Sequence, residues 1–600
     1  MSDKSDKGMS RRQFLGLSGG VVAAATLASI GFKYNKGTKN EREIDLSTIT
    51  TKESETDLLV IGGGMAGLFA AVKGHDAGAK VLVVSKGRIG SSGSTPFAKG
   101  IFSYDATKED VSIDEFVATV SKSAINTNNE KYTKQMAENS KARVDELKQW
   151  GFFDSPLYHK SFSKPIKKRN IEVKERIMIT HLIKENGRIA GAAGFSIDNP
   201  VIHIFKAKAV VLCTGAGGFK PNGFPICDLT HDGSIMAYKI GAKITGKEWN
   251  DGHSASATNP ADCYTGWHGM FDRKPSTNTV EVHHDLGVDA NYKAYVLGNP
   301  VSMMPGNNTT VEGGPYVPDG FNRQMEQEGG APSGEGGAPS GEGGAPGGEA
   351  NGERPSDPPS EGGAPAEGGP GNMGATTGGA SAGMAIHKSE GIAPINLKGE
   401  STIPGLYAAG DALGSYMAGA IYTQVGSSLA GSAVQGAIVS EAAAEYCKKV
   451  TLQNISATKI RNIKTEILAP LKRDSGYSPA WVTQILQGIM IPNFVLYIKK
   501  ESLLNGALAY VEELRDHHMP MLRAANLHEL RLAHETENMI INAEMKLRAS
   551  LMRKESRCSH YRLDYPNVDY INWQVWINLY KDNNGEMKFE KVPFGSWTKA

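Results

Sequence analysis

The sequence has little that would mark a nucleic-acid-binding protein or a metalloprotein. Lys plus Arg total 65 and Asp plus Glu total 64, so the formal net charge is only +1. This balance favours neither nucleic acid nor an anionic membrane surface as a partner. The five cysteines are scattered, with no CxxC and no CxxCH, which argues against zinc, iron–sulfur clusters, c-type haem and a dense disulfide framework.

Long apolar runs are also missing beyond the N-terminal segment, so the sequence predicts no membrane-spanning helix there. The stretch 328–371 repeats Gly, Pro, Ser and Glu and has almost no large apolar residue. Such a composition buries too little apolar surface to offset the entropy of ordering, so it predicts a disordered surface loop. The rest of the 600 residues, with 40% hydrophobic content overall, suffices for several packed cores.

The N-terminus combines paired Arg11 and Arg12 with a weakly apolar run that ends at Phe32. A basic segment directly before an uncharged run is typical of a twin-arginine export signal and makes a poor core helix. We therefore expect 1–32 to be an export signal, 33–55 a linker, and the protein to reside in the periplasm or on the outer face of the cytoplasmic membrane. The sequence leaves open whether the signal is cleaved or retained as an anchor.

A strand–helix–strand pattern follows the linker. Apolar runs at 58–61 and 80–84 flank a glycine cluster in which Gly62, Gly64 and Gly67 have GxGxxG spacing. The first glycine permits a tight turn, the second lets the backbone approach a pyrophosphate, and the third allows close helix–strand packing. Because a strand, a helix and a second strand surround the motif, it predicts a dinucleotide site with the phosphates at the start of the helix.

The acidic residue that an NAD site places after the second strand is missing. Ser85 and Lys86 stand there instead, which argues against a simple NAD site. Farther along, the patterns predict helices within 103–150, β-strands joined by a turn at Gly187 and Arg188, and a strand in 207–219. From 501 onward the period is helical, and the end of the chain reads as a hairpin turned at Asn584 and Gly585.

Several separated motifs resemble one family, the flavoprotein subunits of fumarate reductase and succinate dehydrogenase, with adenylylsulfate reductase α subunits as close cousins. The motifs are VIGGGMAGL (60–68), VVSKG (83–87), GSSGSTPFAKG (90–100), AVVLCTGAGGF (209–219), HDGSIMAYKIGAK (231–243), GLYAAGDALG (405–414), GSSLAGSAVQGAI (426–438) and RKESRCSHYRLDYPNVDYINW (553–573).

The resemblance implies an α/β fold. It would comprise a discontinuous Rossmann-like FAD-binding domain (56–250 and 373–450), an inserted α+β capping domain (251–372), a C-terminal helical domain (451–570) and a hairpin tail (571–600). The cofactor implied is FAD, and family members keep Ser–Lys where this chain has Ser85 and Lys86. The respiratory members bond the flavin through a histidine, but Ser94 stands at that position, so we expect non-covalent FAD.

The residues expected to bind FAD come from these motifs. Asp411 would bond the ribityl chain or ribose, Thr214 and Gly215 would line the adenosine side, and the helix starting at Ser427 would face the flavin pyrimidine. The expected set is Gly62, Gly64, Met65, Ala66, Gly67, Ser85, Lys86, Gly93, Ser94, Thr95, Gly100, Thr214, Gly215, Asp232, Gly410, Asp411, Ser427, Ser428 and Leu429.

The candidate catalytic residues are His253, Tyr422 and Arg323. His253 follows the family's glutamate–aromatic–histidine pattern, and Tyr422 could hydrogen-bond a carbonyl, donate a proton or simply pack its ring. Arg323 is a candidate cap arginine, although its surroundings better match a non-catalytic turn of the family. The arginine that clamps a dicarboxylate in the family is replaced by Thr423.

The export signal and the resemblance together imply an exported oxidoreductase that transfers a hydride between flavin N5 and a small substrate. The expected reaction is reduction of an activated C=C bond in an enoate or enone that is not a dicarboxylate. The alternatives are adenylylsulfate reductase-like or fumarate reductase/succinate dehydrogenase activity, and an electron-carrying flavoprotein without its own substrate. Because no second nucleotide motif and no metal motif is present, we expect a separate iron–sulfur or cytochrome subunit, or a quinone-linked carrier.

Overall fold

The computed structural model describes residues 44–97, 100–107, 111–154, 157–220, 226, 228–250, 388–421, 426–491 and 493–596. Some predictions fall outside these ranges. They concern the export signal at 1–32, the capping domain at 251–372 and the loop at 328–371.

The centre of the fold is a mixed sheet of seven strands in the order β3-β2-β1-β6-β5-β4, with β9 also paired to β6. Its strands are β1 (Thr50–Ile61), β2 (Val81–Val84), β3 (Glu172–Lys174), β4 (Ile177–Glu185), β5 (Arg188–Ser196), β6 (Val201–Leu212) and β9 (Leu406–Ala408). The pairs β1–β2, β1–β6, β2–β3 and β6–β9 are parallel, whereas β4–β5 and β5–β6 are antiparallel. The α/β fold class expected from the sequence is therefore confirmed.

β6 changes its neighbour partway along its length. Residues 202–206 pair with β5, and residues 210–212 pair with β9. Gly191 of β5 makes this approach possible, because a Cβ added there would lie 1.9 Å from the Phe205 carbonyl oxygen. The sheet thus changes from antiparallel pairing to parallel pairing along β6.

Strand β1 is longer than its apolar residues indicated. It begins at Thr50 and pairs with β6 from Thr50–Val201 onward, so the predicted linker 33–55 is wrong from residue 50. The segment TTKESET is polar and mostly exposed, and therefore carries no hydrophobic alternation. Pairing with β6 makes it a strand. The strand predicted within 207–219 likewise begins earlier, at Val201, and ends at Leu212.

Helices occur both in the sheet domain and in the C-terminal part of the chain. The sheet domain contains α1 (Met65–Asp76), α2 (Ile113–Ser123), α3 (Glu130–Trp150), α4 (Tyr158–Lys168), α5 (Asp232–Lys239) and α6 (Ser427–Lys449). The C-terminal helices are α7 (Ala457–Lys472), α8 (Pro479–Met490), α9 (Asn493–Leu496), α10 (Glu501–Glu513) and α11 (Leu527–Met552). Among the described residues, no helix is long and apolar enough to cross a membrane.

Helices α1 and α6 approach each other closely over the sheet. A Cβ on Gly436 of α6 would lie 2.4 Å from the Ala66 carbonyl oxygen of α1. The buried side chains of α6 occupy nearly all its sides, so the hydrophobic stripe of a surface helix is absent. Glycine at 436 therefore lets two buried helix backbones meet.

The predicted C-terminal hairpin is present, but it is not a detached tail. β12 (Val575–Lys581) and β13 (Met587–Pro593) form an antiparallel pair whose turn contains Asn584 and Gly585. β12 also pairs with β7 (Ile244–Thr245), which pairs with β8 (Gly391–Ile392). The end of the chain thus completes a four-stranded sheet begun by two earlier segments. Separately, β10 (Ile498–Lys499) and β11 (Tyr561–Arg562) form a short parallel pair.

A buried group of charges joins the end of α11 to the rest of the molecule. The fully buried Arg553 guanidinium donates to Glu248 Oε1 (3.0 Å), to Glu555 Oε1 (2.8 Å) and to the Val575 carbonyl (2.6 Å). It also lies 4.6 Å from the ring centre of Trp249. One side chain therefore holds the segment at 248–249 and the start of β12 against the C-terminal helices.

Replacing Arg553 by methionine should destabilise the protein strongly. The substitution leaves the buried Glu248 and Glu555 carboxylates without this cation, and breaking a buried ion pair in this way typically costs about 3–5 kcal/mol. The measurement is the midpoint of urea-induced unfolding, followed by tryptophan fluorescence. As a control, Arg461→Met removes an exposed α7 arginine that hydrogen-bonds Thr458, and we expect a change within about 0.5 kcal/mol. Equal shifts for the two variants would contradict the role assigned to Arg553.

Candidate functional site

Four parallel strands end at the same edge of the sheet, and each continues directly into a turn. The turns are 62–64 after β1, 85–87 after β2, 213–215 after β6 and 409–411 after β9. Ligands of parallel α/β sheets bind at this carboxyl edge. Residues of all four turns line one cavity with about 810 Å³ of empty space, counting the part open to solvent.

In the turn after β1, neighbouring backbone atoms occupy the space that a side chain on the glycines would need. Gly62 has φ +120°, and a Cβ there would lie 2.1 Å from the Cys213 carbonyl oxygen. A Cβ on Gly67 would lie 2.0 Å from the Gly62 carbonyl oxygen. Gly64 caps α1 without a side-chain hydrogen bond. The Met65 amide donates to Thr95 Oγ1 (3.1 Å). The next amides of α1, together with the positive end of its dipole, suit an anion such as a pyrophosphate.

Lys86, in the turn after β2, connects the cavity wall to the C-terminal helices. Its ammonium donates to Asp232 Oδ2 (2.7 Å), to Glu535 Oε1 (2.8 Å) and to Thr230 Oγ1 (3.2 Å). Glu535 belongs to α11 and is fully buried. It also accepts hydrogen bonds from Lys220 and Arg531.

The charge state of this group follows from its contacts. Burial alone would raise the pKa of Glu535, but the ammonium groups of Lys86 and Lys220 and the Arg531 guanidinium outweigh it and lower the pKa to about 2. Burial lowers the pKa of Lys86, while Asp232 and Glu535 more than reverse that effect and raise it. Lys86 is therefore a fixed positive charge on the cavity wall at neutral pH.

The turn after β6 offers a buried hydroxyl that no protein group satisfies. Thr214 Oγ1 has no hydrogen-bond partner within the described structure. A Cβ on Gly233 would lie 2.0 Å from this oxygen, so glycine at 233 leaves room around it. Gly215, next in the chain, has φ +70°. A buried polar atom without a partner is uncommon, and at a cavity wall it points to a polar ligand.

The turn after β9 meets the start of α6. Asp411 lies in a short 3₁₀ helix at Gly410–Ala412 and lines the cavity with Ser432 of α6. Gly426 caps α6 in the left-handed region, where a Cβ would lie 2.5 Å from the Phe102 amide nitrogen. The cap again has no side-chain hydrogen bond, and the positive end of the α6 dipole lies here, which favours an anionic group nearby.

These features fit a dinucleotide such as FAD. The two glycine-bounded helix starts, the cation at Lys86 and the unpaired Thr214 hydroxyl suit the polar and anionic parts of such a molecule. Non-polar side chains, including Ile177, Ile179 and Met236, line the remaining wall. A cavity with an apolar wall and a few convergent polar groups is the usual form of a cofactor site.

The structure brings most of the predicted FAD residues to this cavity. Those that line it are Gly62, Gly64, Met65, Ala66, Ser85, Lys86, Gly93, Ser94, Thr95, Thr214, Gly215, Asp232 and Asp411. Those that lie outside its lining are Gly67, Gly100, Gly410, Ser427, Ser428 and Leu429. Gly67 instead packs against Gly62, and Ser427, Ser428 and Leu429 form the first turn of α6, ahead of Ser432.

The three candidate catalytic residues, His253, Tyr422 and Arg323, lie outside the described residues, as does Thr423. The structure therefore places the expected cofactor residues and leaves the substrate residues as sequence predictions.

Sequence reasoning missed two parts of this site. Asp228 lines the cavity and accepts from the Gly93 amide with both carboxylate oxygens, at 3.2 and 3.1 Å. Lys388 lies behind the wall with its ammonium 2.6 Å from Asp411 Oδ1. An isolated aspartate and an isolated lysine usually indicate exposed surface, so only their placement by the fold identifies them.

Two family models match the chain. One, described as an FAD binding domain, matches residues 57–164, and the other, described as fumarate reductase flavoprotein C-term, matches residues 484–599. The first match covers the end of β1, the glycine turn and the turn that contains Lys86. The second covers α11 with Glu535, and Arg553.

Similar proteins extend along nearly the whole chain. An uncharacterized FAD-dependent oxidoreductase of Methanocaldococcus jannaschii is 24% identical over 580 residues, covering 90% of this chain and 98% of that protein. A fumarate reductase (CoM/CoB) subunit from Methanothermobacter marburgensis is 23% identical over 559 residues, covering 86% of this chain and 95% of that protein.

Among solved structures, adenylylsulfate reductase from Archaeoglobus fulgidus has the same fold, with a TM-score of 0.65 at 19% identity over 92% of this chain and 98% of that one. The cavity at the parallel sheet edge, the two matching domains and the relatives agree on the cofactor and on the class of reaction. The chain is an FAD-dependent oxidoreductase that contains an FAD binding domain and a fumarate reductase flavoprotein C-terminal domain.

Proposed function

We propose that this enzyme reduces an activated carbon–carbon double bond in a small acceptor that is not a dicarboxylate. The observation that carries the proposal is the uncharged segment MAGAIYTQVGSSLAG at 417–431, in which Thr423 stands where the resembling enzymes have an arginine. A guanidinium is the usual partner of a buried carboxylate, because it stays charged and binds two oxygens at once.

The described part of this segment is packed inside the protein with neutral partners. Met417, Ala420 and Ile421 are almost completely buried. The Ala420 backbone is satisfied by neutral hydroxyls, since its amide donates to Thr127 Oγ1 (2.8 Å) and its carbonyl accepts from Ser559 Oγ (3.0 Å). Leaving a buried carboxylate without a cation costs about 3–5 kcal/mol in comparable cases, which corresponds to roughly a hundredfold or more in affinity.

The cofactor residues are proposed to divide the work along the cavity. The amides at the start of α1 would hold the pyrophosphate, Thr214 and Gly215 the adenosine half, and Asp411 the ribityl hydroxyls. When bound, FAD supplies hydride transfer at N5. Ser94 cannot bond the flavin as a histidine does, so the site holds FAD non-covalently.

Protein groups must also orient the acceptor and move a proton. Tyr422, beside Thr423 in the uncharged segment, is the proposed hydrogen-bond donor to the acceptor carbonyl, and His253 is the proposed second contact. Arg323 is the remaining candidate for proton delivery. Electrons are proposed to arrive from a separate iron–sulfur or cytochrome subunit or a quinone-linked carrier, because the sequence has one dinucleotide motif and no metal motif.

Two other functions make different predictions. Adenylylsulfate reduction has the support of the fold match and the matching C-terminal sequence, but its substrate is an intracellular nucleotide that an exported protein would not meet. A pure electron carrier would bind FAD and exchange electrons with a partner without reducing any small acceptor.

The matched acceptors fumarate and monomethyl fumarate test the substrate proposal directly. They share the double bond and differ by one carboxylate charge, so the ester should be reduced at least tenfold more efficiently, judged by kcat/KM. The assay follows the anaerobic oxidation of reduced benzyl viologen by the purified enzyme. Cinnamate and an enone, such as cyclohexenone, extend the panel to an aromatic monocarboxylate and a neutral acceptor.

Each result of this assay has a definite reading. If fumarate is the better acceptor, a dicarboxylate site is present and the proposal is wrong. If adenylylsulfate alone is reduced, the runner-up function holds. If no acceptor oxidises the reduced enzyme while a protein electron acceptor does, the chain is a carrier.

The cofactor site is tested by Gly64→Val. A Cβ at position 64 would lie 3.2 Å from Thr95 Oγ1 at the start of α1, and the larger valine side chain would crowd the amides there, so we expect FAD content after purification to fall at least fivefold. Gly488→Val is the matched control, because Gly488 lies in α8 with nothing within 4 Å of its Cβ position. Acid precipitation of the wild type should release all its flavin, whereas flavin retained in the pellet would show a covalent bond.

Export is tested by replacing both Arg11 and Arg12 with lysine. Twin-arginine transport reads the arginine pair rather than positive charge alone, so the variant should accumulate in the cytoplasm with FAD bound. Cell fractionation followed by immunoblotting measures the distribution. Unchanged delivery to the periplasm would exclude this route.

A further inference from the structure

A buried lysine lies behind the cavity wall, close to the end that Asp411 forms. Lys388 has only 1% of its surface exposed. Its ammonium donates to Asp411 Oδ1 (2.6 Å), to the Ser428 carbonyl (2.7 Å) and to Ser432 Oγ (3.2 Å). An ammonium has three N–H donors, so each one has a partner, and none is left to bind a substrate carboxylate.

The backbone at this lysine is strained. Lys388 has φ +61°, a left-handed conformation that costs a residue with a side chain about 1 kcal/mol or more. A Cβ on Gly431 would lie 2.7 Å from Lys388 Cε, and 2.2 Å from Met417 Cε. Glycine at 431 therefore opens the passage that the lysine side chain follows. Strain and special packing of this kind concentrate at functional positions.

Two of the three partners of Lys388 belong to the cavity wall. Asp411 and Ser432 both line the cavity, and Ser428 lies in the first turn of α6. In the orientation proposed above, with the adenosine half beside Thr214, the opposite half of the cofactor would extend toward Asp411. Lys388 lies directly behind Asp411 and Ser432, two side chains of the wall that would face this half.

The charges of the cavity wall give this lysine its effect. Among the described lining residues, the carboxylates are Asp228, Asp232 and Asp411, and the only ammonium is that of Lys86. Lys86 is already committed to Asp232 and Glu535. Without Lys388, the Asp411 end would carry a net negative charge, which opposes the addition of further negative charge nearby.

We propose that Lys388 raises the reduction potential of the bound FAD by keeping a buried positive charge against Asp411 at the flavin end of the cavity. In the two-electron reduction, the reductant is oxidised by two electrons and solvent supplies one proton. Together they form the N5–H bond and leave one net negative charge on the isoalloxazine. The ammonium stabilises this added charge, and Asp411 alone would destabilise it.

The charge of Lys388 itself responds to its surroundings. Burial lowers the pKa of Lys388, and the Asp411 carboxylate opposes that effect without cancelling it. Added negative charge on the flavin favours the ammonium further. The inference rests on the cofactor orientation given under the proposed function and is independent of which acceptor the enzyme reduces.

The test is the midpoint potential of the holoenzyme, measured against a reference dye during slow anaerobic reduction by xanthine and xanthine oxidase, with no acceptor present. A close charge typically changes an equilibrium tenfold or more. Lys388→Met should therefore lower the equilibrium constant for reduction ten- to a hundredfold, or about 30–60 mV for a two-electron couple. Lys388→Arg should retain most of the wild-type potential.

A second, independent test removes a negative charge instead of a positive one. Asp411→Asn removes the carboxylate and also the group that opposes the lowering of the Lys388 pKa. Its potential should therefore exceed the wild-type value at low pH, where the lysine is charged, and approach it as the lysine loses its proton, and the double variant should stay close to the wild-type value. If Lys388→Met loses FAD, Asp411→Asn still decides the matter, because a potential at or below the wild-type value across the whole pH range overturns the proposal.

Lys499→Met is the control for removing a buried lysine elsewhere. Lys499 is also buried, and its ammonium bonds the Glu248 carbonyl (2.7 Å) and His560 Nδ1 (2.9 Å), away from the cavity lining. The midpoint potential of the Lys499→Met holoenzyme should match that of the wild type. A Lys388→Met enzyme with unchanged potential but raised KM for the acceptor would make Lys388 a substrate residue and overturn the inference.

Discussion

The parallel pairing of β1 with β6 is the constraint on which the site depends. It runs from Thr50–Val201 to Ile61–Leu212, so two strands separated by about 140 residues in sequence end side by side. Since β2 and β9 join the same parallel set, four turns that share no local sequence signal meet at one edge. A parallel sheet needs long crossover connections, and here these connections supply the helices that cover the cavity.

The C-terminal helices complete this arrangement through buried charge. Glu535 of α11 reaches Lys86 at the cavity wall, and Arg553 at the end of the same helix reaches Glu248. Buried ion pairs add little net stability compared with apolar packing, but they strongly penalise arrangements that leave one partner alone. They therefore fix how α11 sits against the sheet domain, and through Lys86 they extend that control to the cofactor cavity.

The proposed site combines a charged cofactor half with a substrate half in which the 417–431 segment carries no charge. Helix starts and Lys86 suit phosphate, and Lys388 with Asp411 sets the electrostatics where the flavin is expected. The segment between Met417 and Gly431 carries no charge at all. An enzyme built this way can bind a highly anionic cofactor and still favour an acceptor of low charge, because the cations are occupied by protein carboxylates or by the cofactor.

The sequence by itself determined the cofactor, the class of enzyme and the elements that have strong local signals. The glycine fingerprint, the hairpin at Asn584 and Gly585 and the helical period after 501 each reflect interactions among near neighbours. The export signal, the capping domain and the residues His253, Tyr422 and Arg323 remain sequence predictions. The tertiary structure alone decided three things: the start of β1 at Thr50, the joining of the C-terminal hairpin to β7 and β8, and the burial of Lys388 beside Asp411. The reason is the same in each case, because a polar strand, a sheet partner and a buried ion pair are set by residues distant in sequence, and no local pattern records them.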